Sequence, residues 1–317
     1  MKERMKNIAA VILVILLLPY VIAMIWNGDS KKEAVTAEVK DKYVIVPYGK
    51  GEDKIEIEQY IVGVLPSQIP ITYQKEAIKA QALIIRTQLL KVMDDASTVS
   101  EKDTGLHYMT PDDMEALWGN ANMEDNYAYL AKLVAETTKE ALYYQNTLIE
   151  PSYHAVSAGK TRDVSEMLTN TNVSYPYFVS VDSDWDRESE HYLQSLELDK
   201  TKVIACLQAK EKDLQVTQEN LMDNLEILER DNAGYVNSIK IGGVTMTGED
   251  FRSSLSLNSA DFTIDEYEGK VRFITKGLGH GIGLSQYGAN CMAKDGRNYK
   301  EILKYYYKDV EIKRYDE

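Results

Sequence analysis

From Gly277 to Gly283 every second residue is glycine, and the run from Lys276 to Ala289 constrains this chain more than any other stretch. In extended backbone, residues two apart share a face. Gly277, Gly279, Gly281 and Gly283 would then leave one face bare, with Leu278, His280, Ile282 and Leu284 on the other. Glycine weakens a strand, so four in register imply that something approaches the backbone closely. Ser285 is placed to cap a following helix, Gln286 to Lys294. Nucleotide loops do not fit. Gly-x-Gly-x-x-Gly would need glycine at Ile282 or Leu284, and Gly159-Lys160-Thr161 has His154 where a phosphate loop needs its first glycine.

At the other end, Lys2, Arg4 and Lys6 precede an apolar run from Ile8 to Trp26, interrupted by Pro19. That run is long enough to span a bilayer, and no clear small-x-small cleavage site follows it. The expectation is a signal anchor: residues 1–7 cytoplasmic, 8–26 transmembrane, 27–41 a polar linker and 42–317 an extracytoplasmic domain of a single-pass cell-membrane protein. A cleaved signal peptide is the alternative and gives the domain the same compartment. The net charge of −14, with no basic run in the domain, argues against nucleic acid as a partner. Cys206 and Cys291 allow at most one disulfide, so the fold cannot depend on a disulfide framework.

Between these landmarks the pattern is α+β: a mixed or antiparallel sheet core with packed helices and a helical insertion at about 185–235, behind the N-terminal transmembrane helix. Short β-like runs occupy Tyr43 to Pro47 and Lys54 to Ile57. Pro66 and Pro70 exclude a continuous helix after the apolar run Glu58 to Leu65. Ile78, Ala82, Ile85, Leu89 and Val92 give a helix from Gln74 to Met93 one apolar face. A second helix is expected at about Asp125 to Leu142, then a hairpin around Gln145-Asn146. Asp199 to Glu229 reads as charged helix, Val236 to Ile241 as strand before a Gly242-Gly243 turn, and Tyr299 to Tyr307 as a closing helix.

The string Gly279-His280-Gly281-Ile282-Gly283-Leu284-Ser285-Gln286-Tyr287-Gly288-Ala289 resembles the signature of the stage II sporulation protein D (SpoIID/LytB) family. Tyr60, Gly63-Val64 and Ser67-Gln68-Ile69-Pro70, followed by Glu76-Ala77, Gln81 and Arg86-Thr87, are similar to a second hallmark of that family. Tyr153-His154, Ser157 and Gly159-Lys160-Thr161 resemble a third, and Gly248, Phe251-Arg252, Leu255 and Phe262 a weaker fourth. The matches run in family order across about residues 43–312. The resemblance implies a protein of spore-forming bacteria that acts on peptidoglycan glycan strands during engulfment. Enzymatic members are lytic transglycosylases; others enhance amidases or have no assigned activity.

One departure bears on chemistry. Active members carry a glutamate that protonates the glycosidic oxygen and then takes the proton of the sugar's 6-hydroxyl as it attacks C1. This chain has Gln68 there. A carboxamide can bond the same oxygen but cannot deliver a proton, and a positioned general acid contributes roughly 10²–10⁴-fold. Glu58 and Glu76 are the nearest carboxylates in sequence, and both already match acidic positions of the pattern. The expectation is a glycan-binding protein with weak or lost lytic transglycosylase activity, acting alone or beside other cell-wall hydrolases or engulfment proteins. The alternatives are an active enzyme using another carboxylate and an amidase-enhancer-like partner.

The resemblance also assigns roles. Arg86 would be a cation in the cleft, holding a lactyl carboxylate or an acetamido oxygen; the other reading is a helix arginine paired with a carboxylate. His280 would join Gln68 and Arg86 at the reaction centre. His154, Ser157, Lys160, Thr161, Ser285, Gln286 and Tyr287 would contact saccharide, with helix-start packing or an ordinary hairpin exit as the alternatives. No cofactor is expected. A tetrahedral zinc site needs about four ligands, often including cysteine; the His154 loop has no cysteine, and His107 is the other well-placed candidate.

Overall fold

The computed structural model describes residues 41–48, 51–167 and 174–316. The expected cytoplasmic tail, transmembrane run and linker therefore lie outside the described residues. Among the described residues no helix is long and apolar enough to cross a membrane. Lys42–Glu317 forms one compact unit, and its apolar residues gather into two main cores.

The first core is built from the two ends of the unit. Strand β1 (Tyr43–Tyr48) pairs antiparallel with β2 (Gly51–Glu56) and parallel with β3 (Thr98–Ser100). Helix α1 (Ile57–Gln68) starts where the Glu56 carboxylate receives the amides of Glu58 and Gln59. It runs through Pro66, against the sequence expectation. Pro66 lies in the last turn, where a missing amide removes one bond and little follows to be disrupted. The helix ends at Ile69, which Pro70 holds extended at φ −143°. Gln68 is thereby left as its final residue.

Helix α2 (Lys75–Met93) matches the expected span and is buried on nearly every side. Two short helices, α3 (Glu101–Thr104) and α4 (Pro111–Trp118), precede α5 (Asn120–Ala135). The expected helix to Leu142 thus ends seven residues early: after a turn at 136–139, Glu140–Tyr144 forms β4 and pairs with β5 (Thr147–Leu148). Gln145 and Asn146 take the left-handed conformations that a two-residue hairpin requires.

After β6 (Tyr153–His154) the chain builds a second core from residues 198–273. Strand β7 (Leu193–Leu198) leads to α6 (Lys200–Lys210), then to β8 (Leu225–Arg230), β9 (Val236–Ile241), β10 (Val244–Thr247), α7 (Gly248–Leu255), β11 (Phe262–Tyr267) and β12 (Lys270–Lys276). These form two antiparallel sheets, ordered β10-β9-β8 and β11-β12-β7. The helix expected from Asp199 to Glu229 therefore stops at Lys210, and Leu225–Arg230 is strand. Leu214, Val216 and Leu221 are buried from irregular backbone instead, with Asn220 turning the chain by accepting from Thr217 N at 2.8 Å.

The glycine run brings the chain back to the first core. It ends in β13 (Leu284–Ser285), which pairs parallel with β6. Helix α8 (Gln286–Lys294) begins as expected, with the Ser285 hydroxyl accepting from Gly288 N at 3.2 Å. Helix α9 (Tyr299–Tyr306) and β14 (Glu311–Arg314), antiparallel to β4, close the unit.

The glycine run is not the extended strand expected. All four glycines have positive φ, 84°, 114°, 80° and 70° in order. What approaches them closely is the protein itself. A Cβ on Gly283 would lie 2.0 Å from Ser152 O, and one on Gly279 would lie 2.7 Å from His154 Cβ. The run threads against the 152–162 segment through isolated pairings of Val156 with Leu278 and Arg162 with Ile282.

Candidate functional site

The site is assembled where the end of α1, the middle of α2, β6 and the start of α8 meet. The Tyr153 hydroxyl donates to Gln68 Oε1, and Gln68 Nε2 donates to Ser67 Oγ at 3.0 Å. Ser67 Oγ lies 2.8 Å from Val64 O and 3.0 Å from His107 O. From α8, Gln286 Nε2 reaches Gln68 O at 2.7 Å and Gln81 Oε1 at 3.1 Å. Gln81 is fully buried beside Tyr153, and its Nε2 finds no acceptor among the described residues. Burial pushes the Tyr153 phenol up to about 12. Asn290, also on α8, accepts from Gln74 N at 2.8 Å. One helix thus fastens both ends of the 69–74 turn, and half-buried Tyr73 and Tyr287 sit close together at its margin.

Chemically this is a cluster of amides and one phenol. Gln68 can present a hydrogen-bond donor and acceptor but no titrating proton. Tyr153 is a poor substitute acid, because a phenol near 12 holds its proton far too tightly to give it up at neutral pH. The two carboxylates considered from sequence are committed elsewhere. Glu58 receives Arg86 Nε at 3.0 Å and Nη2 at 2.6 Å, and Glu76 receives Lys79 Nζ and Tyr299 N, both at 3.0 Å.

The other expected site residues do not all converge on Gln68. Arg86 has no exposed surface: besides the bidentate pair with Glu58, its guanidinium donates to Glu140 O at 3.2 Å and contacts Val134 O and Thr137 Oγ1. Its donors face protein oxygens rather than the surface. Its place five residues beyond Gln81 on α2, inside the protein, makes it the bolt between α1, α2 and the turn after α5. The paired-arginine reading of the sequence describes it.

His154 and His280 lie together on the other side of β6. Neighbours on a strand point to opposite faces, so Tyr153 reaches Gln68 while Ser152 and His154 face His280. His154 Nδ1 donates to Ile282 O at 3.1 Å, and its buried Nε2 has no partner among the described residues. His280 Nδ1 accepts from Ile282 N at 3.0 Å, so its proton is on Nε2, 3.5 Å from Ser152 Oγ. The rings meet edge to face with centroids 5.7 Å apart. Burial holds His154 down to about 3 and His280 to about 4; His280 adds to the lowering of His154, and Arg252 and Arg162 add to that of His280. Among the described residues no group of three or more His, Cys, Asp or Glu could hold a metal ion.

Ser157 and Ser285 are both buried against Asp186, a residue that sequence reasoning missed. Its carboxylate accepts from Ser157 N at 3.0 Å, from the Ser157 hydroxyl and from Ser285 Oγ at 2.8 Å. Burial pushes the Asp186 carboxyl above its ordinary range. Thr161 is buried too, accepting from Val181 N at 3.0 Å, while exposed Lys160 pairs with Asp182 at 3.1 Å. Of the residues expected to contact saccharide, Gln286 alone bonds Gln68, and Tyr287 follows it at the rim. Tyr153 and Gln81 were also missed as site residues. Both lie inside quoted motifs, yet spacing alone does not say that they point at residue 68. Asp186 has no flanking signal of any kind.

A mixed α+β domain with a partly buried amide–phenol cluster beside β6 defines a class to which characterised relatives can be compared. Residues 51–144 match the family model described as stage II sporulation protein. The chain is 34% identical over 272 residues to stage II sporulation protein D of Bacillus subtilis strain 168, covering 83% of this chain and 76% of that protein. It is 32% identical over 273 residues to the protein of the same name from Bacillus amyloliquefaciens, with the same coverage. The chain belongs to the stage II sporulation protein D family. It is also 24% identical over 300 residues to the amidase enhancer of Bacillus subtilis strain 168, across 80% of this chain and 40% of that protein.

Proposed function

We propose that this chain works on cell-wall peptidoglycan during sporulation as a membrane-tethered, glycan-holding protein whose lytic transglycosylase activity is weak or lost. One observation carries the reading: the position that the resemblance gives to the acid/base is a carboxamide held by Tyr153 and Ser67. Supporting it, Glu58 is bound to Arg86 and Glu76 to Lys79, so neither replaces the missing acid. What survives is a half-exposed patch of donors, acceptors and tyrosine rings suited to sugar hydroxyls and ring faces.

The test incubates residues 42–317, a compact unit with its own cores, with purified glycan strands, and assays bound strand and anhydro-ended products. Strands retained without new anhydro ends support the proposal; anhydro products at sustained turnover by the unaltered protein overturn it. The similarity to an amidase enhancer favours a second reading, in which the chain acts by binding a hydrolase. Failure to retain any glycan, with stimulation of an added cell-wall amidase, would select that reading.

A further inference from the structure

Three residues before Tyr153, at Glu150, the surface opens into a cavity of about 360 Å³. Three tyrosines, Tyr144, Tyr175 and Tyr177, line it together with Lys91, Thr147 and Glu150. A second hollow of about 240 Å³ shares Glu150 and Tyr175 and extends to Ser152 and Ile282, the residues that touch His280. The two hollows share a wall at Glu150 and Tyr175, and the second lies on the His280 side of β6, the face away from Gln68. Measured along α2, Lys91 lies ten residues from Gln81, about 15 Å at 1.5 Å per residue.

We infer that the Tyr144–Tyr175–Tyr177 cavity is a second saccharide-binding site, holding an N-acetylhexosamine unit of a wall glycan at a distance from Gln68. This rests on the reading that the chain holds wall glycan, and adds a place where it does so. Aromatic rings offer flat apolar faces to the C–H face of a pyranose, and the polar groups at the edge fix its orientation. Half-buried Tyr144 and Tyr175 carry the open ring surface, backed by Tyr177, which is 6% exposed, meets Tyr175 edge to face with centroids 6.1 Å apart and has Tyr144 tilted against it at 5.8 Å. The phenols are placed to donate. Tyr177 Oη receives Glu150 N at 3.0 Å and Tyr144 Oη receives Gln145 Nε2 at 3.3 Å, and neither phenol proton has an acceptor among the described residues. Glu150 Oε2 receives the Tyr175 hydroxyl at 3.2 Å, which leaves Oε1 to accept from a sugar hydroxyl. Lys91 Nζ, donating to Leu148 O at 3.1 Å, retains further protons for an acetamido oxygen or a lactyl carboxylate. A lone apolar ligand would leave these polar groups unmatched, whereas an amphipathic sugar matches both kinds of lining.

The experiment titrates residues 42–317 with the N-acetylglucosamine tetramer and, separately, with purified glycan strands, following heat by calorimetry. Tyr175→Ala, Lys91→Ala and Gln68→Ala are run beside the parent, with unfolding midpoints recorded. Tyr175→Ala is expected to weaken tetramer binding roughly tenfold, about 1.4 kcal/mol, and Lys91→Ala to weaken it several-fold. Lys91 is exposed, so its variant decides the matter if Tyr175→Ala is unstable. Parent-like binding by both variants overturns the second site while leaving glycan binding intact. If the parent binds neither ligand, the underlying reading fails and this site fails with it.

Discussion

Tyr153 donates its phenol proton to the side-chain oxygen of Gln68, so the residue at the position the resemblance gives to an acid is held by a donor that a carboxylate would also accept. The same hydrogen bond suits either side chain, because amide and carboxylate oxygens are nearly isosteric. Gln68→Glu should therefore fold without rearrangement and recover a general acid where the resemblance places one. We expect anhydro-ended products from glycan strands at a rate 10² to 10⁴-fold or more above the parent, roughly the worth of a positioned acid. Mass spectrometry of released fragments reads this directly. A variant that binds strands normally and still releases none would show that more than the acid has been lost.

Tyr153 can then be tested through its effect on that new carboxyl. A donor to the ionised form stabilises it, so removing the donor raises the carboxyl pKa. In the Gln68→Glu background, Tyr153→Phe should move the alkaline limb of the pH–rate profile to higher pH, because the carboxyl must be protonated to act as the acid. In the parent the same change should cost about 0.5–1.5 kcal/mol of stability, the usual worth of one hydrogen bond. A profile unmoved by the phenylalanine would mean that Tyr153 does not bond residue 68 in solution.

Arg86→Met tests the reassignment of that residue from the cleft to the interior. Glu58 would be left with its charge largely uncompensated between α1 and α2, a loss of about 3–5 kcal/mol when one partner of a buried pair is removed. Urea unfolding should show a correspondingly lower midpoint, while the folded fraction retains glycan as the parent does. Unchanged stability with lost glycan binding would return Arg86 to the cleft.

The paired histidines predict an acid-sensitive core. Both have folded pKa values, about 3 and about 4, below the ordinary 6.5. The unfolded chain therefore binds more protons than the folded one between roughly pH 3 and 6.5, and stability falls as pH drops through that window. The slope is at most about 1.4 kcal/mol per pH unit for each histidine. Asp261 works in the opposite sense: burial lifts it to about 6, so its contribution is present at low pH and is lost as pH rises. The clean measurement is therefore a difference. The stability gap between pH 7.5 and pH 5 should narrow in His154→Gln relative to the parent, and an identical gap would contradict a neutral buried pair.

The sequence makes long periodic elements plain and leaves meeting points obscure, for physical reasons visible in particular residues. α2 and α8 were readable because an apolar periodicity and a serine cap are local signals. The charged stretch Asp199 to Glu229 misled because propensity favours helix there, while burial of Leu214, Val216 and Leu221 against β9 favours an irregular path and a strand. Pro66 misled in the opposite direction, since a proline in the last turn disrupts little. Gln68 could be named from its motif, but its partners could not. Tyr153 lies 85 residues away and Gln286 lies 218 away, and only closure of β13 on β6 brings them together. The glycine run announced a close approach correctly and concealed its nature, because spacing does not distinguish a ligand from the chain's own backbone.

That approach provides a test based on two glycines with similar backbone and different surroundings. Gly283 and Gly296 both have positive φ, 70° and 88°. A Cβ on Gly296 meets nothing within 4 Å, whereas one on Gly283 would be 2.0 Å from the Ser152 carbonyl oxygen. Gly296→Ala should therefore cost about 1–2 kcal/mol, the ordinary penalty for a left-handed L-residue. Gly283→Ala adds a clash with backbone that cannot rotate away, and should exceed roughly 3 kcal/mol. Because Ser152 also carries the contact to His280 and precedes Tyr153, any relief of the clash would displace β6. Nuclear magnetic resonance shifts at Tyr153 and His280 should move in Gly283→Ala and stay fixed in Gly296→Ala. Equal, small penalties for both alanines would mean that the ribbon does not press on β6, and that the glycines serve conformation alone.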